Sequence, residues 1–176
     1  MNVIRLDAGQ LTRRIVELAD LLVDTVGGGA SIGFLAPLDR ATAAAWWEGR
    51  VTDVAAGSLA VWVAEDGEGR ILGTVGLAFP DKPNSRHRAE LVKLMVHRDA
   101  RGHGLGRTLL GTAEEAAAET GVTLLHLDTE TGSPAEHLYG RAGWTRVGVI
   151  PDYAADPGGV LRGTTLYYKR PTAPTR

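Results

Sequence analysis

Glu90 stands at the head of an apolar run, Leu91-Val92-Lys93-Leu94-Met95-Val96, and His97-Arg98-Asp99-Ala100 carry that run into Arg101-Gly102-His103-Gly104-Leu105-Gly106-Arg107-Thr108. The pattern predicts a strand, a glycine-rich turn and the start of a helix. Such a turn leaves several backbone N–H groups free at the positive end of the helix, which makes a site for phosphate oxygens. A second carboxylate, Asp128, ends the next apolar run, Val122-Thr123-Leu124-Leu125-His126-Leu127, and the carboxyl ends of neighbouring parallel strands border ligand crevices. Two carboxylates on one crevice could attract an ammonium group and remove its proton. The plainer alternatives are an exposed strand-end glutamate at 90 and a turn or helix-capping aspartate at 128.

Two familiar phosphate loops do not fit the turn. A P-loop requires a Gly-Lys pair, and the chain contains none. The dinucleotide fingerprint G-x-G-x-x-G fails as well, because Leu109 stands where Gly104-x-Gly106 would need a third glycine. What remains, Arg101-x-x-Gly104-x-Gly106 after an apolar strand, resembles the R/Q-x-x-G-x-G/A signature of the GNAT superfamily of N-acetyltransferases. A second stretch, Ala135-x-x-Leu138-Tyr139-x-x-x-Gly143-Trp144, resembles the A-x-x-[LF]-Y-x-x-x-G-[FW] run of the same family. Many members carry an asparagine upstream of that tyrosine to contact the pantetheine arm; this chain has Gly132 there, so the contact is lost or passes to Ser133.

The resemblance implies acetyl-CoA as co-substrate and no metal. It implies that Arg101, Gly102, His103, Gly104, Leu105, Gly106, Arg107 and Thr108 surround the pyrophosphate, mostly through backbone amides. It further implies that a backbone N–H on the segment Leu94, Met95, Val96 polarises the thioester carbonyl, that Glu90 is the base, and that Tyr139 protonates the departing thiolate. Asp128 would hold the acceptor amine or share the base role. A base is needed because an alkylammonium has a pKa near ~10.4 and is not a nucleophile at neutral pH. The alternative for Tyr139 is a core tyrosine with a satisfied hydroxyl, and for the turn a plain glycine-rich connection.

Other segments must position these groups. Val3–Leu6 predicts a strand, and Leu11, Ile15, Leu18 and Leu22 predict one helix ending at Gly27-Gly28-Gly29. Pro37 is expected in the first turn of a second helix, which runs over 41–56 and carries Trp46 and Trp47. Strands at 59–64 and 71–79 form a hairpin across Asp66-Gly67-Glu68-Gly69. A helix with Leu105, Leu109, Ala113 and Ala116 on one face links the strand at 90–96 to that at 122–128, making them parallel neighbours. A short helix capped by Gly132 or Ser133 reaches Tyr139, a strand covers 144–150, a long loop 151–163, and a last strand 164–169.

That order is the one the GNAT resemblance implies: a single-domain α/β (α+β) fold over 1–170. Its sheet is mixed, mostly antiparallel and seven-stranded, with a parallel pair at the fourth and fifth strands and about four helices on its two faces. Residues 171–176 are expected to be a disordered tail.

With 44% hydrophobic and 23% charged residues the chain falls in the soluble globular class. A net charge of -2 gives no footprint for nucleic acid, and no run approaches a membrane span. The absence of cysteine excludes disulfides and thiolate chemistry. The start of the chain lacks the apolar core of a signal peptide, hence a cytoplasmic expectation. His87, His97, His103, His126 and His137 form no ligand pair with metal spacing, and no metal is expected.

The expected partner is a small-molecule amine. Glu90–Val96 and Leu124–Glu130 resemble the tabtoxin-resistance acetyltransferases, which implies an amino-acid toxin or antibiotic as acceptor. A protein or peptide N-acetyltransferase and a non-catalytic acyl-CoA-binding module are the alternatives. Family members are often homodimers, and no stretch here specifies an interface. The acceptor-facing segments, Gly27–Phe34 and Pro151–Gly163, are where the family diverges, and a tryptophan of the second helix is a candidate wall for that pocket.

Overall fold

A computed structural model describes residues 1–172, so the expected tail lies outside the described residues from Ala173 onward. Each apolar periodicity finds its element, and three helices start at a side-chain cap, Asp7, Asp39 and Ser133. Asn2–Leu6 is β1, and Asp7 then caps α1, Ala8–Arg13, through a reciprocal capping box with Gln10. The single expected helix is in fact two, because Arg14 leaves helical geometry at φ -106, ψ 7 before α2, Ile15–Gly27. There its guanidinium ties Glu17, Glu65 and the Gly69 carbonyl together, a set of contacts between distant segments that no local pattern reports. The helix count therefore rises by one.

Asp39 accepts from the Thr42 N–H at 2.7 Å and caps α3, Arg40–Ala56, so Pro37 precedes the helix instead of lying in its first turn. The hairpin β2, Leu59–Glu65, and β3, Ile71–Ala78, pairs as expected. β4 is Arg88–Val96, α4 Leu105–Glu119, β5 Leu124–Glu130, α5 Pro134–Arg141, β6 Thr145–Ala155 and β7 Leu161–Lys169. Ser133, not Gly132, caps α5. On α4 the buried stripe ends at Ala117, with Ala116 only half-buried.

Among the described residues the strands form one seven-stranded sheet in the order β1-β2-β3-β4-β5-β7-β6. Only β4 and β5 pair in parallel, as the helical crossover between them demands. The long loop expected over 151–163 is mostly strand. β6 runs on to Ala155 and β7 begins at Leu161, with a turn between them in which Asp156 receives the Val160 N–H at 3.0 Å and Arg162 Nε at 2.9 Å. Pro151 is tolerated because β6 is an edge strand and its register is interrupted between Ile150 and Ala154, where Pro151 lies.

Two apolar layers sandwich the sheet. Leu105, Leu109, Leu110 and Ala113 of α4 pack with Val75, Leu77, Leu91 and Leu125 on one face, and Leu18, Leu22 and Trp47 pack with Val61, Val63 and Met95 on the other. Leu91 and Met95 should share a face by simple alternation, yet they enter opposite layers. The reason is one extra residue in β4: Thr74 opposes Met95 while Gly76 opposes Val92, and Lys93 between them has φ 51. Among the described residues no helix is long and apolar enough to cross a membrane.

Gly73 allows α4 to close over this strand, since a Cβ there would sit 2.8 Å from the Met95 carbonyl oxygen and 2.9 Å from Leu109 Cδ1. Gly73→Ala should lower the unfolding free energy by about 2 kcal/mol or more in urea denaturation, because backbone and core must both give way.

Candidate active site

The site is built on a fork. β4 pairs with β5 through Arg88, Ala89 and Glu90, opposite Leu124, Leu125 and His126, and beyond Glu90 the two strands no longer pair. A cleft of about 1060 Å³ opens there. Glu90, half-buried, is the last paired residue on one tine, and Asp128, exposed, stands beyond the fork on the other. Thr164 donates to Asp128 Oδ2 at 3.1 Å and to the Thr129 carbonyl at 3.0 Å, which holds the carboxylate against β7. His126 accepts from Arg88 Nη1 at 2.8 Å beside Glu90, and burial pushes its pKa down, with Arg88 adding to the effect. A neutral imidazole follows, because a guanidinium can only donate.

At one end of the cleft, α4 begins at Gly104 with φ 80 and no side-chain cap or first-turn acid. The first N–H groups of that helix lie open for an anion. Gly102 has φ 81, and an added Cβ at either glycine would meet nothing in the protein. Left-handed backbone is thus the reason for glycine there, whereas at Gly106 a Cβ would approach Leu138 Cδ2 to 3.3 Å. Arg101 Nε donates to the Val96 carbonyl at 3.0 Å, and Arg98 pairs with Asp24 of α2, so the entry to the turn is fastened.

Tyr139 is only 6% exposed, packs against Trp144 and Tyr167 at 5.8 and 6.3 Å between ring centroids, and lines the cleft. Burial, assisted by Asp128, pushes its pKa well above 10, so the phenol stays protonated through neutral pH.

The cleft joins Glu90, Leu94, Met95, Val96, Arg101, Gly102, Gly104, Leu105, Gly106, Arg107, Asp128, Ser133 and Tyr139. His103 and Thr108 do not line it; both are exposed, and the Thr108 hydroxyl turns back to the Gly104 carbonyl. The Ser133 hydroxyl receives the Glu136 N–H at 3.2 Å as the cap of α5 and also borders the cleft. Among the described residues no group of metal-ligating side chains occurs.

Lys93, which the motifs pass over, also lines the cleft. Its Nζ donates to the Ile32 carbonyl at 2.7 Å and lies 5.6 and 5.1 Å from the rings of Phe34 and Trp46. A lysine inside the apolar run 91–96 was the available signal, but its consequence needs the bulge. Tyr153 and Arg162, also on the cleft, fell in the segment read as a loop.

An open helix N-terminus, a protonated phenol and two carboxylates lie around one forked cleft. The sequence profile described as the acetyltransferase (GNAT) family matches residues 31–144. The chain belongs to that family. N-acetyltransferase 8B of Rattus norvegicus is 38% identical over 71 residues, which cover 40% of this chain and 32% of that protein. The chain thus spans about a third of the length of that curated relative. A ribosomal-protein-alanine N-acetyltransferase from Brucella melitensis superposes with a TM-score of 0.76 at 26% identity, over 97% of this chain and 99% of that one. A Salmonella typhimurium protein solved with its cofactor acetyl-CoA superposes at 0.77 with 20% identity, over 100% and 96%.

Two outcomes follow from this geometry. Gly104→Val, which forces a β-branched residue to φ 80, should abolish acetyl-CoA binding in calorimetry. Tyrosinate absorbance lost in Tyr139→Phe, measured as the difference from the unsubstituted protein, should emerge only above pH 10.

Proposed function

We propose that the chain is an acetyl-CoA-dependent N-acetyltransferase whose acceptor is the primary amine of a small molecule. The reading rests above all on one observation, the fork that leaves Glu90, Asp128 and Tyr139 around the same cleft as an uncapped glycine turn. The turn suits a pyrophosphate, with open N–H groups, left-handed glycines and the exposed side chains of Arg101 and Arg107. Acetyl-CoA supplies an activated acetyl thioester and leaves as a thiol.

The chain's own residues supply the rest. Glu90 and Asp128 attract the acceptor ammonium and take its proton, directly or through water. On the segment Leu94, Met95, Val96, beyond the fork and free of β5, an N–H that does not face β3 is the donor available to a carbonyl oxygen. Tyr139, kept protonated by burial, gives its proton to the departing sulfur. Ser133 borders the cleft at the place expected for the pantetheine arm.

Support for a small acceptor comes from the two segments that face the fork. The loop after α2 and the β6–β7 hairpin line the same cleft and meet, the Ala36 N–H donating to the Pro157 carbonyl at 2.8 Å. That bridge narrows the acceptor end, and the likeness of 90–96 and 124–130 to tabtoxin-resistance enzymes favours an amino-acid toxin or antibiotic. A protein acceptor is the second reading, favoured by the 26% identical Brucella enzyme.

Thiol release from acetyl-CoA against amines, amino acids, antibiotics and peptides tests both readings. Glu90→Gln and Asp128→Asn should each lower turnover by roughly 10²-fold with acetyl-CoA affinity intact. Tyr139→Phe should lower turnover, not affinity; full turnover in any of the three variants removes that residue from the chemistry.

A further inference from the structure

Beside Lys93, between α3 and the sheet, lies a second cavity of about 330 Å³ that acetyl transfer as described does not use. Its floor includes Val61, Gly76 and Val92, and its roof is α3 with Trp46, Arg50 and Asp53. Val92 and Lys93 also line the large cleft, and Ala78, the register partner of Glu90, lines the cavity. The cavity is therefore a side chamber of the acceptor end.

Two cations border this chamber on one aromatic ring. Arg50 lies 5.3 Å and Lys93 5.1 Å from the Trp46 ring centroid. The Nε–H of Arg50 is buried and finds no acceptor among the described residues, while its Nη1 pairs with Asp53 at 3.3 Å. Lys93 has three donor hydrogens and one protein acceptor, the Ile32 carbonyl. Burial lowers the Lys93 pKa, Arg50 lowers it further, and Asp128 and Glu90 oppose both from the cleft. Two cations against the single carboxylate of Asp53 leave the chamber one positive charge and one buried donor in excess, which favours an added anion. Carboxylates stand at the fork, Lys93 borders both the cleft and the chamber, and Arg50 with its partner Asp53 lies on the chamber's far wall.

We infer that this chamber is an anion subsite of the acceptor pocket, where Arg50 and Lys93 receive a carboxylate carried by the same molecule whose amine lies at Glu90 and Asp128. The acceptor class is then a small zwitterionic amine, and Arg50 and Lys93 set specificity. The inference rests on the acetyl-transfer reading above, because that reading places the amine at the fork. A 330 Å³ chamber accepts a small carboxylate-bearing arm and excludes a folded polypeptide.

Matched pairs isolate the anion: L-phenylalanine against L-phenylalaninamide, and L-methionine against L-methioninamide, compared by thiol release from acetyl-CoA. The acids should exceed the amides in kcat/KM by roughly tenfold or more. In Arg50→Gln and Lys93→Met that preference should fall toward unity through a raised KM for the acids, and Arg50→Lys should retain part of it. Equal or better turnover of the amides by the unsubstituted protein overturns the subsite and leaves the acetyltransferase reading standing.

Calorimetric titration of the same acids into the CoA-loaded protein reads the subsite without turnover. Acid binding that Arg50→Gln loses supports the subsite, even where no acceptor releases thiol and the catalytic reading fails. Absence of acid binding overturns it. Arg50→Met replaces Arg50→Gln if circular dichroism shows that variant unfolded.

Discussion

The parting of β4 from β5 after Glu90 is the constraint on which the rest of the structure depends. One extra residue in β4, at Lys93, bends the strand and turns its far half over, so that Leu91 faces α4 while Met95 faces α2 and α3. With the ladder interrupted, backbone donors of residues 91–96 lose β5 as a partner, and a cleft opens between two strands that remain joined at their base. Gly73 holds the bent strand close under α4, and the Arg98–Asp24 pair fastens the turn that follows. The β4 side of the cleft is thus held by contacts that lie outside it.

Electrostatics in the site follow from how far each group is withdrawn from water. Tyr139 sits in the core layer with Trp144 and Tyr167, so its phenol resists ionisation and remains a proton donor at neutral pH. Asp128, outside that layer, stays in solvent contact and is steadied by Thr164. Lys93 is the unusual member, a cation drawn into an aromatic corner by a backbone bulge and held by the Ile32 carbonyl. The same bend that opens the cleft therefore carries a positive charge to the wall shared with the smaller chamber.

Much of this was legible in the chain. The strand, glycine turn and helix from Glu90 to Thr108 were readable because each step is local: an apolar run, glycines at left-handed positions, and an apolar stripe at helical spacing. The second run around Tyr139 was readable for the same reason, with Ser133 and Pro134 starting α5. Other features were not local. Arg14 splits a helix in order to reach Glu65 and Gly69, and β6 continues through Pro151 because an edge strand leaves that position without a needed N–H. His103 and Thr108 belong to the turn by sequence but point away from the cleft, since only some residues of a turn face one direction.

By itself the sequence determined the order and type of most elements, the parallel pair at β4 and β5, and the glycine turn that marks the acetyltransferase family. These depend on periodicity and backbone conformation, which neighbouring residues dictate. Only the tertiary structure decided where β4 bulges, which places Lys93 against Trp46 and Phe34, and only it brought Arg50 to the same ring. Register across a sheet and the docking of α3 on that sheet are set by contacts between residues far apart in the chain, and no local spacing encodes them.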